Sequence, residues 1–172
     1  MTNSDLRYYG KYRASVLNNV DPEQIGRLNL VVPDVSGVLP TTWAMPCVPL
    51  AGIQNGMFAL PIVGSGVWVE FEQGDPDYPI WVGCYWGSAA EVPALALLTP
   101  PLIPAITLQT PLQNGLTVSD KLDPSGGIML KSAAGATLIV NDTGIYIQNG
   151  KGASITLVGS TVTINAGALT VV

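Results

Sequence analysis

With 172 residues and a mass of 18.0 kDa, the chain holds one medium domain, or a small domain with an extension, but not a large two-lobed enzyme. Charged residues make up only 11% while glycine (19) and proline (14) abound, which excludes a long-helical protein, and 48% apolar residues exclude a disordered one. Seven basic against twelve acidic groups and no histidine remove any general attraction to phosphate backbones or anionic membranes, and every catalytic or metal-binding arrangement built on imidazole.

The N-terminal MTNSDLRYYG lacks the apolar core of a signal peptide, so synthesis in the cytoplasm without Sec export is expected. Residues 8–17, 26–32, 56–62, 67–71 and 80–85 are strand-like runs, separated by Asn18-Asn19, Pro33-Asp34, Gly52, Gly64 and Gly74-Asp75-Pro76. Five short strands in about 90 residues suit a small closed barrel, because closure hides strand edges. Eleven of the twelve aromatics fall between Tyr8 and Trp86, which ends this module near Gly87. Trp43, Trp68, Trp81 and Trp86 are assigned to its core. Cys47 and Cys84 are too few for a disulfide framework, fit no zinc spacing and are expected as buried reduced thiols.

The module offers little chemistry. Glu70 and Glu72 alternate with Phe71, and paired carboxylates could serve a glycosidase. Asp75-Pro76-Asp77 is ordinary turn chemistry, however, so a solvated strand face and turn are expected instead. Arg7, Lys11, Arg13 and Arg27 near Tyr8, Tyr9 and Tyr12 form at most a sparse stacking surface for single strands. Nine acidic groups in the first 100 residues oppose those four cations, so nucleic acid is not an expected partner.

Three stretches, GRLNLVVPDVSG (26–37), WAMPCVPLAG (43–52) and GSGVWVEFEQGDPDYPIWVGCYWG (64–87), occur in order. Together they closely resemble the oligosaccharide/oligonucleotide-binding (OB) fold domain of contractile-tail baseplate spikes. That family includes phage central spikes, the valine-glycine-repeat spikes of type VI secretion and the spikes of phage-tail-like injection particles. The resemblance implies an OB-fold barrel over residues 1–90.

Residues 92–119 carry no charge and are apolar enough to raise the question of a membrane span. Pro93, Pro100, Pro101, Pro104 and Pro111 argue against one, since each removes a helix donor and clashes with the preceding turn. Residues 91–125 are therefore read as an extended Pro-rich connector packed against protein.

From residue 126 the sequence repeats at a spacing of 17: Gly127 falls on Gly144, Ile128 on Ile145, Leu130 on Ile147, Ala136 on Ala153, Leu138 on Ile155 and Val140 on Leu157. A shortened third copy carries Val162, Ile164, Leu169 and Val171. Apolar residues alternate within each strand, so one face is expected to be aliphatic and the other to consist of Thr, Ser, Asn, Gln and Lys. Burying these dozen side chains is worth on the order of 20 kcal/mol before entropy, and nothing else in the chain is free to cover them. Self-association in threes is expected, with a second β-sandwich-like domain as the alternative.

The resemblance implies the same trimeric solution: an all-β chain in which the barrel is followed, over residues 126–172, by an intertwined trimeric β-helix needle. The expected trimer-axis core is Ile128, Leu130, Leu138, Val140, Ile145, Ile147, Ile155, Leu157, Val162, Ile164, Leu169 and Val171. The expected function is that of a non-enzymatic structural spike, assembled in a phage tail or phage-tail-like particle, which docks to a baseplate hub and punctures the target cell envelope. A non-enzymatic OB-fold adaptor or carbohydrate-binding module is the alternative.

Three departures narrow the family's properties. The connector is too short for a lysozyme-like insertion. The barrel begins almost at residue 1, so the hub is expected to be a separate protein. A His-x-His iron-binding tip is impossible without histidine, so no cofactor or metal is expected. The apolar end Val171-Val172 is the expected interface for a separate sharp tip protein.

Overall fold

A computed structural model describes residues 6–171 of the chain. The chain is all-β and divides between Ala89 and Ala90 into two compact units.

In the first unit, β1 (Tyr12–Asn18), β2 (Asn29–Val31), β3 (Met45–Pro46), β6 (Gly66–Phe71) and β7 (Pro79–Tyr85) form a sheet in the order β2-β1-β6-β7-β3. Reciprocal backbone bonds between Leu28 and Ala44, at 3.1 and 2.8 Å, bring its two ends together and close the barrel. Alternation decides what lies inside. Val67, Val69 and Phe71 point inward from β6, where they meet Ala14 and Val16 of β1, while Trp68 and Glu70 point outward. Leu28, Leu30, Val32, Ala44 and Trp81 complete the core. A single helical turn, α1 (Pro33–Ser36), starts on a proline and stops at Gly37, which adopts φ 62°.

The run 56–62 does not form the expected strand. The chain makes a two-residue-per-arm hairpin there, β4 (Ala51–Gly52) and β5 (Asn55–Gly56), and then runs to β6 without forming a strand, bonded to β1 only where Gly64 and Ser65 meet Val16. Only one side of this segment meets the barrel, leaving Met57, Phe58, Ile62 and Val63 exposed.

The second unit is one eight-stranded antiparallel meander in which each strand pairs with its neighbours in sequence. Its strands are β8 (Ala105–Gln109), β9 (Gly115–Ser119), β10 (Gly127–Lys131), β11 (Thr137–Asn141), β12 (Gly144–Gln148), β13 (Ser154–Val158), β14 (Thr161–Ile164) and β15 (Leu169–Val171). The sheet therefore begins at Ala105 rather than at residue 126. Pro104 and Pro111 lie just outside β8, where they cost the ladder nothing. The ladders described run within the chain, from each strand to the next.

The 17-residue repeat is a repeat of turns as well as of strands. Between β10 and β11, Ser132 Oγ accepts from the Ala136 amide at 3.0 Å; between β12 and β13, Asn149 Oδ1 accepts from the Ala153 amide at the same distance. These turns stack on one another. A Cβ at Gly150, which adopts φ 70°, would lie 2.7 Å from the Gly135 carbonyl carbon. Gly150→Ala is therefore expected to destabilise the second unit by about 2 kcal/mol, from positive-φ strain and crowding together. Thermal denaturation of the variant checks this.

Candidate functional site

Directly paired residues of an antiparallel sheet share a face, and the register draws two unbroken aliphatic rows across all eight strands. One row runs Ile106, Val118, Ile128, Val140, Ile145, Leu157, Val162, with Val171 at the last register position. The other runs Leu108, Leu116, Leu130, Leu138, Ile147, Ile155, Ile164, Leu169. All twelve residues expected at an axis lie in these rows. Ile106, Leu108, Leu116 and Val118 join them, having been assigned by sequence to the connector. Their alternation is visible in the sequence, but the flanking prolines masked it.

In a single chain this face is open. Ile106, Leu108, Val118, Ile128, Leu130, Val140, Ile147, Ile155 and Leu169 are exposed, and Leu116, Leu138, Ile145, Leu157, Val162 and Ile164 are half-buried. An aliphatic surface of this extent marks an interaction site. The opposite face carries Thr107, Thr117, Thr156 and Thr163, but also Met129, Ile139 and Tyr146, so it is less polar than expected. Part of it is covered by the preceding segment: Leu95 is buried, its Cδ1 packs over Gly115, and its amide donates to Gln109 Oε1 at 2.9 Å.

Of the expected tip interface, the Val171 backbone closes β15 opposite Val162, while Val172 lies outside the described residues. β15 is an end strand of the sheet.

The first unit assembles no reactive centre from the candidates considered. Glu70 is held by Lys11 at 2.5 Å. Glu72 falls in the turn beyond the strand, where it lines a hollow of about 220 Å³ with Arg7, Gln73, Asp75 and Tyr78. Glu70 is not a wall of that hollow, so the two carboxylates do not face a common cleft. The cations are engaged too: Arg7 pairs with Asp75 at 2.8 Å, Arg27 with Asp21 at 2.7 Å, and the Arg13 guanidinium lies 5.5 Å from the Trp68 ring and 5.4 Å from that of Tyr85. Among the described residues no group of three or more His, Cys, Asp or Glu could hold a metal, and no helix is long and apolar enough to cross a membrane.

The tryptophans divide. Trp81 is core, 6% exposed, with Nε1 donating to the Gly26 carbonyl at 3.0 Å. Trp43 and Trp68 are half-buried under arginines, and Trp86 is 63% exposed, contrary to expectation. Both cysteines are unbridged and exposed rather than buried, because Cys47 follows the short β3 and Cys84 lies near the end of β7, away from the packed centre.

Asp21 is a strongly built, buried polar site that the sequence did not announce. Its buried carboxylate accepts from the amides of Glu23, Ile25 and Arg27 at 3.0, 3.0 and 3.1 Å and from Arg27 Nε and Nη2 at 3.0 and 2.7 Å. The Arg27 side chain, followed by these backbone amides, holds the carboxyl far below the usual carboxylate range against the opposing effect of burial. The set orders the 21–27 loop. The spacing Asp-x₅-Arg is its only trace in the sequence.

Residues 12–86 match the family model of the type VI secretion system/phage-baseplate injector OB domain, and residues 105–170 that of the phage baseplate V C-terminal trimerisation domain. A comparison with curated proteins finds no match.

Proposed function

Since the chain belongs to the phage baseplate spike family, an injector OB domain followed by a trimerisation domain, we propose that three copies form a spike that breaches a target cell envelope mechanically. The observation that carries this reading is the pair of aliphatic rows, continuous through eight strands and exposed in one chain. Three such sheets, aliphatic faces inward, enclose a dry core whose axis residues are those of the two rows. Strands then lie across the needle and ladder hydrogen bonds run along it. Eight strands at roughly 4.8 Å each span about 35 Å. A close-packed core inside continuous ladders resists compression along that length, which is what a puncturing element requires.

In this reading the OB domain docks to a separate hub protein of the baseplate, and a separate tip protein covers the outer edge of β15. Contact with the target envelope is transient, and assembly occurs in a phage tail or a phage-tail-like particle. Light scattering on the purified chain is expected to give three times the monomer mass of 18.0 kDa, persisting in dilute detergent. A monomer would overturn the spike and bring forward an adaptor role for the OB domain.

A further inference from the structure

The first unit carries an apolar feature that the needle does not use. Beside the β4–β5 hairpin lies a groove of about 440 Å³ with no charged residue in its walls. Its floor is Gly26 and Trp81: a Cβ on Gly26 would lie 3.5 Å from both Leu60 Cδ2 and Phe58 Cε2, so the glycine leaves the groove its depth. Its rim is Leu50, Met57 and Phe58, all exposed, and Phe58 is 70% so. At the tip of the adjoining hairpin stands Ile53, 98% exposed. Ile53 thus extends the exposed apolar surface of Leu50, Met57 and Phe58, and a contiguous apolar patch, unlike a single exposed residue, marks an interaction site.

We propose that the occupant of this groove is a second copy of the chain, the Ile53 hairpin of each OB domain entering the groove of the next around the threefold axis. The proposal rests on the trimeric reading. Each OB domain is joined at Ala89–Ala90 to a unit carrying the trimerisation domain, so three of them are held together at an effective concentration in the millimolar range. Contacts around a threefold axis are heterologous: one patch of each copy meets a different patch of its neighbour, and three such contacts close a ring. The projecting isoleucine and the apolar recess beside it, walled in part by Ala51, Gly52, Asn55 and Gly56 of the same hairpin, supply the two halves. The uncharged walls favour this occupant over a nucleic acid or a charged peptide, and leave the contact no titratable group.

The test uses the full-length protein. Ile53→Cys and Phe58→Cys are combined in a Cys47→Ser, Cys84→Ser background and the protein is oxidised. Covalent dimers and trimers, at two and three times the chain mass of 18.0 kDa, are expected on a denaturing gel. In parallel, hydrogen exchange compares wild type with Ile53→Glu. The Met57 amide, bonded to the Leu50 carbonyl at 2.9 Å on the groove rim, is expected to exchange at least about tenfold faster in the variant while the native mass stays that of a trimer. Ile53→Leu should keep the wild-type rate. Only monomer bands from a protein of trimeric native mass, or equal exchange in wild type and Ile53→Glu, would overturn the groove contact and leave the needle standing. A monomeric native mass would remove the trimer itself, and the groove contact with it.

Discussion

Replacing Ile145 with Asp is expected to leave the chain monomeric, its mass by light scattering falling from that of a trimer to the 18.0 kDa of one chain. Ile145 sits in β12, near the middle of the sheet, paired with Val140 on one side and Leu157 on the other. In a trimer built on the two rows, three carboxylates would meet at one level of the axis with aliphatic neighbours above and below. Each unpaired buried charge costs about 3 to 5 kcal/mol, so the assembly loses on the order of 10 kcal/mol. Tyr146→Asp is the control. Tyr146 pairs with Ile139 and Thr156 on the other face, and its hydroxyl meets Thr143 Oγ1 at 2.8 Å in an exposed position, so this variant should remain trimeric. Fully trimeric, soluble Ile145→Asp protein would show that the rows do not face the axis.

Asp21→Asn is expected to lower the melting temperature of the OB domain by more than about 10 °C. The carboxylate receives three backbone amides and two guanidinium N–H groups. An amide replaces one acceptor oxygen with a donor, which then points at other donors, and Arg27 loses its buried counter-charge. The effect depends on pH in a defined direction. Because the folded carboxyl is held below its unfolded range, its stabilisation is complete above the unfolded value near 4 and is lost as the pH falls below it. Melting at pH 7 and pH 3 should show wild type losing more stability than Asp21→Asn over that interval. Equal losses would mean that Asp21 does not carry this stabilisation.

What could be read from the sequence depended on whether the governing forces were local. Alternation in β6 and in β10 to β15 gave strands, faces and both aliphatic rows over 126–171, because each strand's burial is dictated by its own period of two. The same alternation in β8 and β9 went unread. Leucine-rich, proline-bounded residues 92–119 look like an apolar linker until pairing with β10 is known, and β8–β9 is out of phase with the 17-residue repeat because residues 120–126 form a longer turn. In the OB domain, the Asp21 loop depends on backbone amides that only one particular loop path brings to a single carboxylate, and no composition reveals that. Trp86 and the two cysteines were misplaced for a related reason. Apolar neighbours in sequence do not ensure burial where a strand runs past the end of the barrel.

Each strand of the second unit bonds only to the strand before it and the strand after it, which makes the unit quasi-one-dimensional. Its length is therefore set by how many hairpins the chain encodes. Removing or duplicating one 17-residue stretch such as 127–143 changes the strand count by two. Chain direction and the inward face stay in phase, and the reach alters by about 10 Å. On the proposed puncturing role, a unit of this design can be fitted to envelopes of different thickness in steps of that size, without redesigning its core or its ends.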